Sequence, residues 1–230
     1  IKILDYVTLV LKNNMNRLFQ INLDENLVFK IQDDISFEIA ASYQLAYGTS
    51  YHALVQRGQA QKDDEILVLG GSGGVGLAAI DIAKALGARV VAGVSSKEKA
   101  KICKDYGADE VVVYGSEKLD KDGQKSFSSE LKSKSTKGGY DIIFDPIGDC
   151  YAEPAFRAIG WKGRYLVIGF AAGEIPKMPL NLALLKGASI NGVFWGTFTG
   201  LQPEENHSNI KALNNIGIIY LNIGELNDAI

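Results

Sequence analysis

Glu65-Ile-Leu-Val-Leu-Gly-Gly-Ser-Gly-Gly-Val-Gly-Leu-Ala-Ala-Ile80 decides the fold. An apolar run, 65–70, reads as a buried strand. Residues 71–76 then give G-x-G-x-x-G, and an amphipathic stretch from Leu77 to Leu86 reads as a helix. Glycines at this turn let the backbone bend tightly and approach a pyrophosphate, and the first helical turn offers unpaired N–H groups and a positive dipole end. Gly71, Gly73, Gly74, Val75 and Gly76 are therefore expected to hold the phosphates of a dinucleotide; the alternative is a glycine-rich turn with no ligand.

Outward from this turn the alternation is regular. Strands are predicted at 65–70, 89–94, 110–113, 140–145, 164–169 and 188–194, with helices at about 74–87, 97–107, 125–135 and 151–161. Six strands separated by crossover-length helices imply an α/β fold, a doubly wound parallel six-stranded Rossmann sheet. Such sheets bind ligands at the carboxyl ends of their strands, which brings the glycine loop, 94–96, 145–148 and 169–171 to one edge. Upstream, residues 17–31 read as one or two short strands around Asp24-Glu25-Asn26. A helix capped by Asp34 or Ser36 runs to Leu54, with Gly48 interrupting it. Residues 115–138 read as an exposed loop and a polar helix.

The second strand speaks to the choice of cofactor. A dinucleotide site for NADH places an acid about twenty residues beyond the glycines, on the ribose 2′-hydroxyl. Here the strand ends in Ala92-Gly-Val-Ser-Ser96, with no acid, and Lys99 follows one helical turn on. Hydroxyls and an ammonium suit a 2′-phosphate, so NADPH is expected rather than NADH, bound by Ser95, Ser96 and Lys99. The plainer alternative makes Ser96 a helix cap and Lys99 a surface lysine.

Bulk properties exclude other classes. The chain has 230 residues, 47% hydrophobic and 22% charged, with net charge −3. That leaves no basic footprint for nucleic acid. Lys97, Lys99, Lys101 and Lys104 cluster locally, as a solvated helix face would. Cys103 and Cys150 lack partners at disulfide-framework or metal-ligand spacing. No run of eighteen apolar residues suggests a membrane span. A reduced, cytoplasmic setting is expected, with a mitochondrial address as the alternative.

AYGTSYHAL (46–54), LVLGGSGGVGLAAIDIAKALGARVV, YGADEVVVY (106–114), YDIIFDPIGDCYAEPAFRAIGWKGRYLVIGFAAG (140–173) and LLKGASINGVFWG (184–196) together resemble the medium-chain dehydrogenase/reductase superfamily, in its zinc-free, zeta-crystallin-like quinone oxidoreductase branch. The resemblance covers roughly 20–200. It implies an NADPH-dependent reductase of quinones or other conjugated carbonyls, with a GroES-like substrate domain wrapped around the nucleotide domain and a homodimeric assembly. It places Thr49 and Tyr47 near the nicotinamide, Gly73 to Gly76 at the pyrophosphate, Ser96 and Lys99 at the 2′-phosphate, and Tyr114 on the adenosine side. Ile147 and Gly148, then Gly169, Phe170 and Ala171, fall on the ribose and nicotinamide loops. Phe194 and Trp195 follow the sixth strand.

On this basis the chain divides into 1–35, a partial GroES-like domain; 36–60, a connecting helix; 61–200, the dinucleotide-binding domain; and 201–230, a truncated return towards the substrate domain. The chain begins at Ile1, and half of the substrate cleft is expected to be missing. If these residues are the whole polypeptide, catalytic competence is not expected.

The expected chemistry is hydride transfer to an electron-poor acceptor, in which the protein holds donor and acceptor and stabilises the developing oxyanion. Tyr47 is a candidate proton donor, as is Thr49 or a water; Tyr47 as core packing is the other reading. His52 reads as a hydrogen-bonded structural residue. Two further functions stay open: reduction of a 2-enoyl thioester, and nucleotide binding without turnover in a sensor or structural protein. The apolar segment Ser189–Trp195 is an edge strand that pairing with a second copy would cover.

Overall fold

The computed structural model describes the backbone of residues 7–9, 19–21 and 37–215, and the side chains of residues 42–213. The remainder of the 1–35 and 201–230 segments, including the Asp24-Glu25-Asn26 turn, lies outside the described residues. Two short strands, β1 (Val7–Leu9) and β2 (Phe19–Ile21), pair antiparallel.

The principal sheet contains β3 (Glu65–Leu69), β4 (Arg89–Val94), β5 (Glu110–Val113), β6 (Tyr140–Asp145), β7 (Ile159–Val167) and β8 (Ser189–Gly192). Its spatial order is β5-β4-β3-β6-β7-β8, and every pairing is parallel. Helices α2 (Gly74–Ala85) and α3 (Lys97–Asp105) carry the chain from β3 out to β5, and α4 (Lys121–Lys134) returns it to β6 beside β3. Winding therefore reverses between β3 and β6, which opens a crevice at their carboxyl ends. The remaining helices are α1 (Phe37–Tyr51), α5 (Asp149–Arg157), α6 (Leu180–Lys186), α7 (Trp195–Leu201) and α8 (Pro203–Asn215).

Both faces of β3, β4 and β6 are covered, which explains why these strands read as nearly unbroken apolar runs. Ile66 and Val68 of β3 pack with Ile80 and Ala83 of α2 and with Leu213 of α8. Leu67 and Leu69, pointing the other way, join Phe127 and Leu131 of α4 and Phe156 of α5. Period-two alternation thus divides one strand between two cores.

Four departures from the sequence reading have physical causes. Gly48 does not interrupt α1, which continues to Tyr51 and then into a π-helical turn, His52–Arg57. A Cβ on Gly48 would lie 2.8 Å from the Trp195 ring, so the glycine serves close packing. The helix expected at 151–161 spans Asp149–Arg157 instead, because the chain enters β7 at Ile159 and bulges there, with Lys162 left-handed at φ 59. Helix α4 begins at Lys121, four residues earlier than expected, where Asp120 Oδ1 accepts from Gly123 N at 2.8 Å and caps it. Finally, α6, α7 and α8 were not foreseen; Ile210 and Leu213 of α8 complete the core beneath Leu54.

Candidate functional site

The turn after β3 is built from glycines with distinct duties. Gly70 is left-handed at φ 60, and its carbonyl accepts from Gly73 N at 3.0 Å. Gly71 N donates to Gly93 O of β4 at 3.1 Å, and a Cβ on Gly71 would press on Ala92 and Cys103. Gly76 lies where α2 crosses the turn; a Cβ there would fall 2.4 Å from Gly70 O. Around Gly73, by contrast, the nearest atom to such a Cβ is 3.4 Å away. Gly73 is also the N-cap of α2 and supplies no side-chain cap to its first turn. An anion would meet main-chain N–H groups there.

A cleft of about 370 Å³ opens at this turn. Of the sequence-predicted residues, Gly73, Val75, Ser95, Lys99, Tyr114, Ile147 and Ala171 line it. Lys99 Nζ donates to Ser95 Oγ at 3.0 Å, and among the described residues it forms no ion pair. Ser96 is the N-cap of α3 and accepts from Lys99 N at 3.3 Å, while Glu98 turns back to Ser96, whose hydrogen bond holds its carboxyl below the usual range. The cation therefore faces the cleft and the adjacent carboxylate is occupied elsewhere.

The far wall depends on Asp145, buried at the end of β6. Its Oδ1 accepts from Ile147 N at 2.8 Å and Gly148 N at 2.9 Å, and its Oδ2 accepts from the Tyr165 hydroxyl. Burial pushes the Asp145 pKa up. Ala171 N and Ala172 N donate to Pro146 O and Ile147 O, which ties the 146–148 and 169–172 loops to one another. Gly148 is left-handed, and a Cβ there would strike Phe170 at 2.9 Å. Gly169, Phe170 and Gly148 thus shape the loops without lining the cleft. Lys118 ties the same loops from outside, at 3.0 Å from Asp149 and 3.2 Å from Glu174.

Other expected site residues lie outside the cleft. Tyr47 donates to Asp81 Oδ2 of α2 at 2.9 Å and stacks on Tyr43 with ring centroids 4.8 Å apart. Burial, then the Asp81 charge, raises its pKa far above the usual phenol value. Thr49 is buried in α1, and neighbouring Ser50 donates to Val75 O at 2.8 Å. Phe194 is exposed, while Trp195 rests on Gly48 and donates to Asn206 Oδ1 at 3.1 Å. His52 bonds Gln56 and stacks on Phe198, as a structural histidine does. Gly70, Ser72, Val94 and Pro146 line the cleft as well. The edge rule brings 72, 94 and 146 to this edge without giving them a ligand role, and Gly70 reads only as the end of a strand.

This parallel sheet, its switch point and its glycine turn define the Rossmann class of dinucleotide-binding proteins. Residues 74–214 match the family described as zinc-binding dehydrogenase. The quinone oxidoreductase-like protein 2 homolog of Nematostella vectensis is 32% identical over 183 residues, 79% of this chain and 48% of that protein. A highly reducing polyketide synthase of Didymella fabae is 35% identical over 144 residues, 63% of this chain and 7% of that protein. Among solved structures, a mycobacterial protein complexed with NADPH superposes with a TM-score of 0.75 at 28% identity, covering 84% of this chain and 57% of the other. The chain belongs to the zinc-binding dehydrogenase family of the medium-chain dehydrogenase/reductase superfamily, and its relatives include proteins named quinone oxidoreductase-like protein 2 and quinone oxidoreductase. It spans about half the length of the curated relatives it matches first.

The family's description names zinc. Among the described residues no three of His, Cys, Asp and Glu converge as a metal site requires. Cys103 is buried in one core and Cys150 packs against the other. No helix among the described residues is long and apolar enough to cross a membrane.

Proposed function

We propose that the chain is the nucleotide-binding part of an NADPH-dependent oxidoreductase that passes a hydride to a quinone or another conjugated carbonyl. Lys99 and Ser95 carry the reading: they face the cleft together at the end of β4, where an acid would stand in an NADH site. The mycobacterial neighbour complexed with NADPH supports it. The first turn of α2 would meet the pyrophosphate, Lys99 with Ser95 and Ser96 the 2′-phosphate, Tyr114 the adenosine side, and the 147–148 and 169–171 loops the ribose and nicotinamide. Thr49, Phe194 and Trp195 would border the nicotinamide end. When bound, the dinucleotide supplies the hydride. The protein's part is to orient it, and the Asp145-anchored loops keep water from one side of the cleft.

Oxidation of NADPH by the intact protein with benzoquinone, against a crotonyl thioester, tests the acceptor. Faster oxidation with the quinone is expected. Preference for the thioester would favour enoyl reduction, a reading that the polyketide synthase similarity supports. Binding of NADPH without any oxidation would favour a sensor or structural role.

Tyr47 divides catalysis from positioning. With its hydroxyl on Asp81, it braces α1 against α2. Tyr47→Phe is expected to cost about 1 kcal/mol of stability, roughly 2–4 °C in Tm, and to leave kcat within about twofold. A loss of about a hundredfold in kcat with an unchanged melting curve would make it the proton donor instead.

The homodimer expected through Ser189–Trp195 fits an edge strand whose Ser189 and Gly192 are exposed and which is followed by an exposed Phe194. Light scattering is expected to give twice the 24.9 kDa chain mass, and Phe194→Glu is expected to give the monomer. A monomeric wild type would overturn this assembly.

A further inference from the structure

Away from the cleft, α4 and α5 leave a groove of about 740 Å³ between them. Lys121, Lys125 and Lys132 of α4 and Arg157 of α5 line it, against one carboxylate, Glu153. Glu153 is already paired with Arg157. Among the described residues none of the three lysines has an ion-pair partner. Lys186 closes the end of the cluster, its ammonium held 3.1 Å from Arg157 O. Burial, then the Lys132 charge, lowers its pKa.

Helix polarity accounts for Lys132, in the last turn of α4, but not for the cluster as a whole. Lys121 opens α4, where the helix dipole disfavours a cation. The chain as a whole carries net charge −3, so the groove opposes the sign of the rest of the molecule. Besides the charged residues, Gln124, Ser128, Ser129 and Pro154 line it. Its apolar surface belongs to Pro154 and to the lysine and arginine stems, whose charged ends stay at the water. From Lys121 to Lys132 the cations extend along about 16 Å of helix axis, a spacing that a compact phosphate cluster does not span.

We propose that the α4–α5 groove docks a carboxylate-rich segment of a partner protein, about five residues in extended form, held by Lys121, Lys125, Lys132 and Arg157. None of these residues lines the glycine-turn cleft, so the partner and a cleft ligand can be present together. Repulsion from the acidic remainder of the chain would steer such a segment to this face.

Fluorescence anisotropy of a labelled hexaglutamate peptide with the purified chain tests the proposal, at low and high salt. Binding that weakens with salt is expected. Lys121→Glu with Lys125→Glu and Lys132→Glu is expected to raise Kd at least about tenfold, while Lys97→Glu with Lys101→Glu on α3 leaves it unchanged. Lys125→Gln with Lys132→Gln, which removes charge without adding repulsion, is expected to fall between, and circular dichroism checks that each variant is folded. Absence of binding at low salt, equal losses in the α4 and α3 variants, or tighter capture of tripolyphosphate than of the peptide would each overturn the proposal. The last outcome would make the groove a phosphate site.

Discussion

Gly76→Ala is expected to destabilise the chain by about 3 kcal/mol or more, a drop of roughly 6–12 °C in Tm. The added Cβ would fall 2.4 Å from Gly70 O and 2.8 Å from both Gly71 Cα and Gly71 O. All three are main-chain atoms, so no side chain can swing aside. Gly71 is fixed in turn by its hydrogen bond to β4, and Gly70 by its left-handed conformation against Ile147. Relief therefore requires α2 to move away from the sheet, which breaks the packing of Ala79, Ile80 and Ala83. Gly73→Ala is the matched control, since its surroundings are open and melting should change little. Thermal unfolding followed by circular dichroism separates the two, and similar melting of Gly76→Ala and wild type would refute the packing argument.

Glu65→Gln is expected to cost about 3 kcal/mol at neutral pH, at the opposite end of the sheet. The Glu65 side chain is 1% exposed and pairs with Arg89 at 3.1 Å. Its oxygens also accept from the hydroxyl of Ser135, from both N and Oγ1 of Thr136, and from Lys137 N. This carboxylate therefore joins β3 and β4 to the loop after α4. Burial alone would raise its pKa, but the hydrogen bonds from Ser135, Thr136 and Lys137 outweigh it and hold the group below the usual range. A depressed folded pKa means that the stabilisation is complete above the unfolded value of about 4.3 and is lost as pH falls through the folded value. Denaturant titrations of both proteins should show a gap that is constant near neutrality and closes in acid. A gap that stayed constant into strong acid would contradict an ionised Glu65.

Buried sheets are legible because strands covered on both faces must be apolar throughout. Strands β3, β4 and β6 followed from that rule, and the glycine turn from its spacing between a strand and a helix. Glu65 was not legible as a structural carboxylate, because its donors lie some seventy positions downstream and the residue only opens an apolar run. Gly48 misled for the related reason that Trp195, which requires it, is far away in sequence. Within the site, the Ser95–Lys99 pair could be read from one strand end and one helical turn. The Tyr47–Asp81 bond joins two helices 34 positions apart, and no local pattern announces it. Helix α6 fully buries no residue and so gives no apolar stripe, and α7 and α8 lie beyond the alternation, which ends with β8.

NADPH and NADH titrated into the wild-type chain and into Lys99→Ala, followed by nicotinamide fluorescence, test the central claim most directly. Charge-assisted hydrogen bonds to a phosphate contribute about 1.5–3 kcal/mol. NADPH is therefore expected to bind the wild type more tightly than NADH by roughly 10–100-fold. Lys99→Ala should remove most of that preference and leave NADH affinity unchanged. Equal affinity for the two nucleotides, or a preference that survives the loss of Lys99, would contradict the account.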